Sequence, residues 1–374
     1  MIRNQPLSDF LTEYTLRNDN NQYKPVAVGR YGIRTRDSIY TKELAKDYSK
    51  NKVIYQDTLT VGMGSVQIDI GILTEDIRYS VSPAYHTYQI RNINPAYLRY
   101  CLECRNQDMF TRFVKRGSRQ GKSIDLKRWL TYEIPVFDER KQAEIVAVLD
   151  RISTQVANRQ EQLELFEQLV KSRFIELFES KSWETVRVDS IMFNMRNGVS
   201  PSNVGNHPAK VLTLSAITQG DFDPNSWKDG MFETEPPIEK RVTASDFYMC
   251  RGNGNKKLVG AGVYSKENRY DLVFPDTAIA ATVDLQRVCL PYLFHAWKRP
   301  SVRDQIEACA RTTNGTYKIN QGVISNIELF LPPIDLQEQF AAFVEQTDKS
   351  KFEIQQSLEK LEILKKSLMQ QYFG

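Results

Sequence analysis

Histidine is scarce. The chain has three in 374 residues, His86, His207 and His295, widely separated, and no Ser/His/Asp set assembles around any of them. Cysteine is also sparse, at five, with no framework spacing. Cys101-Leu-Glu-Cys104 is a lone pair on an expected helix with no second pair, so structural thiols are expected rather than a zinc site. The opening Met1-Ile-Arg-Asn-Gln-Pro6 has no apolar stretch of the signal-peptide kind, so the thiols are expected reduced in a cytoplasmic protein. No apolar run is long enough to span a membrane. Gly117-Ser-Arg-Gln-Gly-Lys-Ser123 is one residue short of a phosphate-binding loop, and Phe113–Arg116 ahead of it is not a buried strand. Gly252-Asn-Gly-Asn255 lacks dinucleotide-loop spacing and reads as a turn. No paired-carboxylate nuclease motif is found, so an enzyme in its own right has nothing to rest on.

Two further absences organise the chain. Neither Ile145–Phe178 nor Phe340–Phe373 contains a glycine or a proline, and both are rich in Gln, Glu, Leu and Lys. The first follows Glu133-Ile-Pro-Val-Phe-Asp-Glu-Arg-Lys-Gln142; the second follows Phe330-Leu-Pro-Pro-Ile-Asp-Leu-Gln-Glu-Gln339. Matching Pro135 with Pro332, Asp138 with Asp335 and Gln142 with Gln339 gives an offset of 197, while Phe178 matches Phe373 at 195. The second copy is therefore expected to have lost two residues within its helix. The apolar seam steps by three and four: Ile145, Leu149, Ile152, Val156, Arg159, Leu163, Phe166, Val170, Arg173, Leu177. The second seam is Phe340, Val344, Thr347, Lys351, Ile354, Leu358, Leu361, Lys365, Leu368, Tyr372. This is the coiled-coil period. Each helix is expected to run about 37 residues, or about 55 Å. One such helix could simply cover its own domain; two with the same lead-in favour packing on each other.

The remainder reads as two mixed domains. In residues 1–131, Leu7–Leu16 has a short helical pattern, with Ser8 as cap and Phe10, Leu11 and Tyr14 on one face. Strands are expected at Pro25–Ile33, Lys52–Tyr55, Asp57–Ser65, Val66–Leu73 and Tyr85–Ile90, and a helix starts at Pro95. Residues 182–329 can be laid over this. Val211–Ile217 answers Val26–Ile33, Asp246–Gly254 answers Asp57–Ser65, Leu293 answers Leu98 and Arg311 answers Arg116. The chain is a tandem duplication of domain and helix.

The net charge of +4 is unevenly placed. Residues 1–135 hold 21 Lys and Arg against 14 Asp and Glu, and Arg112–Arg128 has Asp125 as its single acid. Such a cluster points to a polyanionic partner.

The doubled lead-ins Pro135–Gln142 and Pro332–Gln339 and the helices ending Lys-Ser-x-x-x-x-x-Phe carry a family resemblance. So do Trp183-Glu-Thr-Val-Arg-Val-Asp-Ser-Ile191, Asn197-Gly-Val-Ser-Pro201 and Arg251–Gly260. Over essentially its full length the chain resembles the DNA-specificity subunit of Type I restriction–modification systems. The resemblance implies an α+β fold: two pseudo-repeated α/β target-recognition domains separated by two long helices packed as an antiparallel coiled coil. The implied divisions are 1–131, 132–180, 181–329 and 330–374. It also implies a subunit that carries no chemistry, each domain reading one half of a bipartite site on double-stranded DNA. The partners would be two adenine N6-methyltransferase subunits and two restriction subunits. No cofactor is expected on this chain; S-adenosylmethionine, ATP and Mg would sit on the partners. The absence of an Asn/Asp-Pro-Pro-aromatic tetrapeptide fits a non-catalytic role.

Lys and Arg suit phosphates, while Arg and Asn pair with guanine and adenine edges. Candidates in the first half are Arg30, Arg34, Arg36, Arg112, Lys115, Arg116, Arg119 and Lys122. In the second half they are Arg251, Asn253, Asn255, Lys256, Lys257, Arg311, Tyr317 and Lys318. Two alternatives stay open: a specificity subunit serving a fused nuclease–methyltransferase partner, and a coiled-coil scaffold whose globular ends bind proteins.

Overall fold

A computed structural model describes residues 3–36, 47–117, 121–202, 204–313 and 315–374. The chain divides into two compact units. Unit 1 is residues 1–162 with 354–374; unit 2 is 163–353. Among the described residues no helix is long and apolar enough to cross a membrane.

Unit 1 opens with β1 (Arg3–Pro6) and β2 (Leu11–Glu13). Then come β3 (Val26–Gly29), β4 (Gly32–Thr35), β5 (Lys52–Ile54), β6 (Thr58–Met63), β7 (Ile68–Leu73), β8 (Tyr79–Val81) and β9 (His86–Ile90). Helix α1 (Pro95–Phe113) follows, then β10 (Val114–Gly117), β11 (Gly121–Ile124), α2 (Leu126–Trp129), β12 (Glu133–Val136) and the long α3 (Glu139–Phe174). The main sheet has the order β2-β9-β6-β7, all antiparallel. β6 sits centrally with Leu59 and Val61 fully buried, and its Gly62 leaves room for the Tyr85 ring, which an added Cβ would strike. The short helix expected over Leu7–Leu16 is not formed. Its backbone groups bond elsewhere: the Leu7 and Ser8 amides donate to Tyr132 O and Leu130 O, and the Tyr14 amide donates to Thr87 O. Phe10 and Leu11 are buried, but in a strand and a tight turn, and Ser8 caps nothing.

Unit 2 repeats the plan. Its elements are β13 (Thr185–Arg187), β14 (Met192–Asn197), β15 (His207–Leu212), α4 (Ser215–Thr218), β16 (Trp227–Phe232), β17 (Arg241–Val242), β18 (Asp246–Cys250), β19 (Gly252–Asn253), β20 (Gly262–Tyr264), β21 (Arg269–Val273) and β22 (Ala278–Val283). They continue with α5 (Leu290–Trp297), α6 (Pro300–Cys309), β23 (Arg311–Thr313), β24 (Thr316–Lys318), α7 (Gln321–Ser325), β25 (Glu328–Phe330) and α8 (Ile334–Phe373). Order β14-β22-β18-β20 matches β2-β9-β6-β7, and β13-β25 matches β1-β12. The sheet β16-β15-β21-β17 has a looser counterpart in unit 1. There β3-β4 and β5-β8 are separate pairs, linked by one parallel bridge between Pro25 and Ser80. One expected equivalence shifts by a residue. Val283 N donates to Ser245 O as Ile90 N donates to Asp57 O, so Asp246 corresponds to Thr58 rather than Asp57. In a strand, one residue of slip exchanges the two faces. Asp57 is a turn residue at φ +57, whereas Asp246 is buried and paired with Arg196.

The long helices run antiparallel within each unit. In unit 2, Lys351 lies 3.8 Å from Glu167, Arg173 sits over the Phe343 ring, and Phe340 meets both Phe174 and Phe178. Residue numbers rise on one helix as they fall on the other. In unit 1 the start of α3 (Ile145, Leu149) shares a core with the end of α8 (Met369, Phe373, with Leu368 and Tyr372). The seam positions Ile152, Val344 and Leu358 are buried, and Val156, Leu163, Phe166, Ile354 and Leu361 are half-buried. Beyond Val170 the buried stripe moves by one residue. Phe174 and Phe178 are buried while Arg173 and Leu177 are half-covered, because the last turns of α3 face α5.

The two lead-ins align at 195 throughout, not 197. Gln142 accepts from the Asn94 amide at 3.0 Å and donates to Phe137 O at 2.8 Å. Gln337, not Gln339, repeats this: it accepts from the Cys289 amide at 2.9 Å and donates to Pro332 O at 2.8 Å. Tyr97 OH bonds Pro135 O, and Tyr292 OH bonds Phe330 O. Helix starts Glu139 and Ile334 share the offset, so no residues are lost. The Pro-x-x-Asp-x-x-x-Gln spacing recurs two residues late by sequence coincidence, and Gln339 is exposed.

Two outcomes follow from this packing. Gln337→Ala strips partners from the Cys289 amide and the Pro332 and Arg287 carbonyls and is expected to destabilise unit 2 by about 2 kcal/mol or more. Gln339→Ala should stay within about 0.5 kcal/mol; denaturant titration compares them, and equal costs would restore the 197 alignment. His295 is half-buried, its ring packed among Phe174, Phe294 and Phe340. Burial foremost, then the Lys298 charge, pushes its pKa down to about 4, with Asp348 opposing and Lys351 adding. The fold holds the imidazole neutral while the unfolded chain binds a proton below about 6.5. Stability is therefore complete above that pH and declines as pH falls through 6.5 toward 4. In His295→Leu the unfolding midpoint should fall less between pH 7 and pH 4.5; an unchanged slope removes His295 as the cause.

Candidate nucleic-acid interface

In unit 2, β19, β24 and β23 form a small sheet at the end of the central strand β18. Gly252 pairs with Lys318 and Asn253 with Tyr317; Arg311 in turn pairs with Lys318. Directly opposed residues share a face, so Arg311 and Lys318 stand side by side, both exposed. Among the described residues neither has an ion-pair partner. Two adjacent like charges repel in the free protein and are relieved by an anion. Gly252 gives the Lys318 stem its room, since a Cβ there would approach Lys318 Cγ to 3.2 Å.

The loop after β19 adds Lys256 and Lys257, both exposed. Its asparagines are committed to the backbone: Asn253 Oδ1 accepts the Asn255 amide at 2.8 Å and Asn255 Oδ1 accepts the Lys257 amide at 3.1 Å. Asn255 thereby caps the 3-10 turn Lys256–Leu258. Bidentate pairing with adenine needs both ends of an amide, so the first role of these two is to shape the loop. Tyr317 packs its ring against the core of unit 2 and Arg251 Nη1 donates to Asp276 O. The outward cations here are Lys256, Lys257, Arg311 and Lys318.

In unit 1 the matching hairpin is β10-β11, with Arg116 opposite Lys122 and Lys115 opposite Ser123. Of the Arg116 side chain nothing is described, and Arg119 lies outside the described residues. Several cations here have internal partners. Lys115 is 2.6 Å from Asp125, whose carboxyl it holds below the usual range, assisted by the Arg128 amide. Arg112 bonds Asp108 and covers Tyr132; Lys122 donates to Ser65 O and lies over Phe110. Lys122 thus does with a side chain what the β19–β24 pairing does with backbone in unit 2.

Arg30, Arg34 and Arg36 are not brought to this hairpin. The β3-β4 turn, made possible by Gly32 at φ +77, presents Tyr31, which is 70% exposed, with the Arg30 and Arg34 guanidinia 5.7 and 5.2 Å from its ring centre. Arg36 covers Tyr48. Arg30 and Tyr31 border a cleft of about 1260 Å³ that is also lined by Arg99, Tyr100, Asp150 and Lys365. Tyr31 was missed as a candidate, although an aromatic between arginines in Arg30-Tyr-Gly-Ile-Arg34 was a visible signal; a ring flanked by guanidinia suits stacking on a base.

No family model matches the chain. A curated relative, the Type I restriction enzyme EcoKI specificity subunit of Escherichia coli (strain K12), is 29% identical over 170 residues. That match spans 44% of this chain and 36% of the relative. The fold is similar to that of the crystal structure of the Type I restriction–modification S subunit from M. genitalium, with TM-score 0.61 at 12% identity, covering 100% of this chain and 96% of the other. A chain from a structural study of complex assembly and conformational transition of a type I R-M system gives TM-score 0.57 at 16% identity, covering 99% and 97%. At these identities the structural likeness is one of fold. The resemblance read from the sequence is borne out.

Charge accounting on the two hairpins separates them experimentally. Replacing Arg311 or Lys318 with Ala should weaken duplex binding and lower the slope of log K against log salt by about 0.9 each. Lys115→Ala should change the slope less, because Asp125 already neutralises that charge. Fluorescence titrations over a salt series decide this, and equal slopes for all three variants would rule out the distinction.

Proposed function

We propose that this chain is the DNA-recognition subunit of a Type I restriction–modification complex. One observation carries the reading: one scaffold occurs twice, bond for bond at its joints, yet bears two different sets of surface loops. Two readers of different sequence on one frame suit a split, asymmetric DNA site. The functional modules are residues 1–131 and 181–329 as readers, with 132–180 and 330–374 as lead-ins and spacer helices. The chain is non-catalytic and serves two methyltransferase subunits and two restriction subunits, which bind S-adenosylmethionine, ATP and Mg. It directs adenine N6 methylation in the cytoplasm. A helical pair of fixed rise, about 1.5 Å per residue, is a ruler for the spacer between half-sites.

The test is a methylation map of the host genome with and without the gene. A split motif bearing N6-methyladenine on both strands should vanish with the gene; retention of every such motif removes the reading. Exchange of residues 1–131 for those of another specificity should change one half-site, and a change in both argues against independent readers. Removal of four residues from each helix should alter the spacer, and an unchanged motif excludes the ruler.

A further inference from the structure

Unit 2 carries a segment that unit 1 lacks. Between β18 and β20 the chain runs through Arg251–Ala261; between β6 and β7 there is only Gly64–Gln67. The longer segment holds Lys256 and Lys257, which make no ion pair among the described residues. A loop with two free lysines needs something to fix its direction. Its two Asx turns set its local shape but tie it to nothing outside itself.

Beyond the pairing of Asn253 with Tyr317, the external ties are α6 through Arg303 and the end of α5 through Trp297. Arg303 Nη2 donates to Lys257 O at 3.0 Å and to Val259 O at 2.9 Å, and Trp297 Nε1 donates to Gly260 O at 2.7 Å. Gly260, at φ +68, lies so close to α6 that an added Cβ would come within 2.6 Å of Ile306 Cγ2. The Arg303 side chain is 16% exposed and is steadied by Glu307 one turn on. Its guanidinium is therefore turned inward. At the 195 offset that relates the two halves, the counterpart of Arg303 is Asp108. Asp108 accepts from Tyr132 OH at 2.7 Å and pairs with Arg112. The unit without the loop has the opposite charge at this position and a different task for it.

We propose that Arg303 is a positioning residue for sequence readout by unit 2: its Nη2, bonded to two loop carbonyls, holds the loop Asn253–Val259 so that Lys256 and Lys257 meet the DNA in one register. This rests on the DNA-recognition reading above. Arg303 does not itself touch DNA. Its removal leaves the lysines and their attraction for phosphate in place, but frees two carbonyls and lets the loop sample several orientations. Selectivity should fall while non-specific affinity stays. A lysine at 303 can keep one of the two bonds and should give an intermediate result.

The experiment is the same host methylation map, made with the wild-type chain, Arg303→Lys and Arg303→Met, after the exchange of residues 1–131 has assigned each half-site to its reader. In Arg303→Met, methylation at sites with one mismatch in the unit 2 half should rise by roughly tenfold relative to cognate sites. Arg303→Lys should fall between, and the unit 1 half and the spacer should be unchanged. Thermal midpoints of the purified chains accompany the map. Wild-type selectivity in the unit 2 half of both variants overturns the proposal, as does a parallel loss in both halves with a lowered midpoint, which marks general destabilisation. If Arg303→Met does not accumulate, Arg303→Lys decides alone on the same criteria. Failure of the wild-type chain to direct any split motif defeats the recognition reading itself and is thereby distinct from failure of the positioning role.

Discussion

A buried glutamine at the start of each long helix is the constraint on which the rest depends. Gln142 is 4% exposed and Gln337 0%. Each bonds across to the amide just ahead of a domain helix, Asn94 before α1 and Cys289 before α5, and back to a carbonyl of its own lead-in. An amide is suited to this because it donates and accepts at once, so two backbone groups that would otherwise be buried without partners are satisfied by one side chain. The tyrosine hydroxyls of Tyr97 and Tyr292 close the same joint from the other side. The joint ties each domain to the start of its long helix, and every element further out is carried on that attachment.

From this joint outward the two halves share the strand order of the main sheet and the starts of α1 and α5 and of the long helices, then diverge where the chain meets solvent. Asp125 and Asn320 cap equivalent short helices with different side chains of the same capping ability. The outer hairpin is held by backbone pairing in unit 2 and by the Lys122 side chain in unit 1. The frame needs buried backbone groups paired and apolar faces covered, which restricts its residues. Loops at the end of the central strand face no such demand and are free to differ.

The long helices were legible because their signals are local and redundant: a sustained 3.5-residue period, no glycine or proline, and two copies. The duplication was legible for the same reason. Errors fell where a signal was short. Leu7–Leu16 has helical spacing over barely two turns, and pairing of its backbone with Thr87, Leu130 and Tyr132 outweighs that weak preference. The lead-in alignment rested on three identities, and the position that matters, Gln337, is visible as equivalent to Gln142 only through its bonds. The cation lists rest on charge, and charge says nothing of partners. Lys115 and Arg112 turn out to be neutralised internally, while Arg311 and Lys318 stand together with no acidic partner among the described residues.

What the sequence determined by itself is the architecture: two domains, two helices of coiled-coil period, and a basic surface. Those properties are sums over many residues, so single misreadings do not alter them. What only the tertiary structure decided is which side chains are free to act. Asn253 and Asn255 are drawn into the loop's own turns, half-buried Tyr317 against the core, Arg30 to the border of a cleft, and Arg34 to the Tyr31 ring. Arg303, unremarkable in sequence, holds the loop that carries Lys256 and Lys257. A polar side chain's role depends on the partner within about 3 Å of it, and that partner is most often far away in the chain.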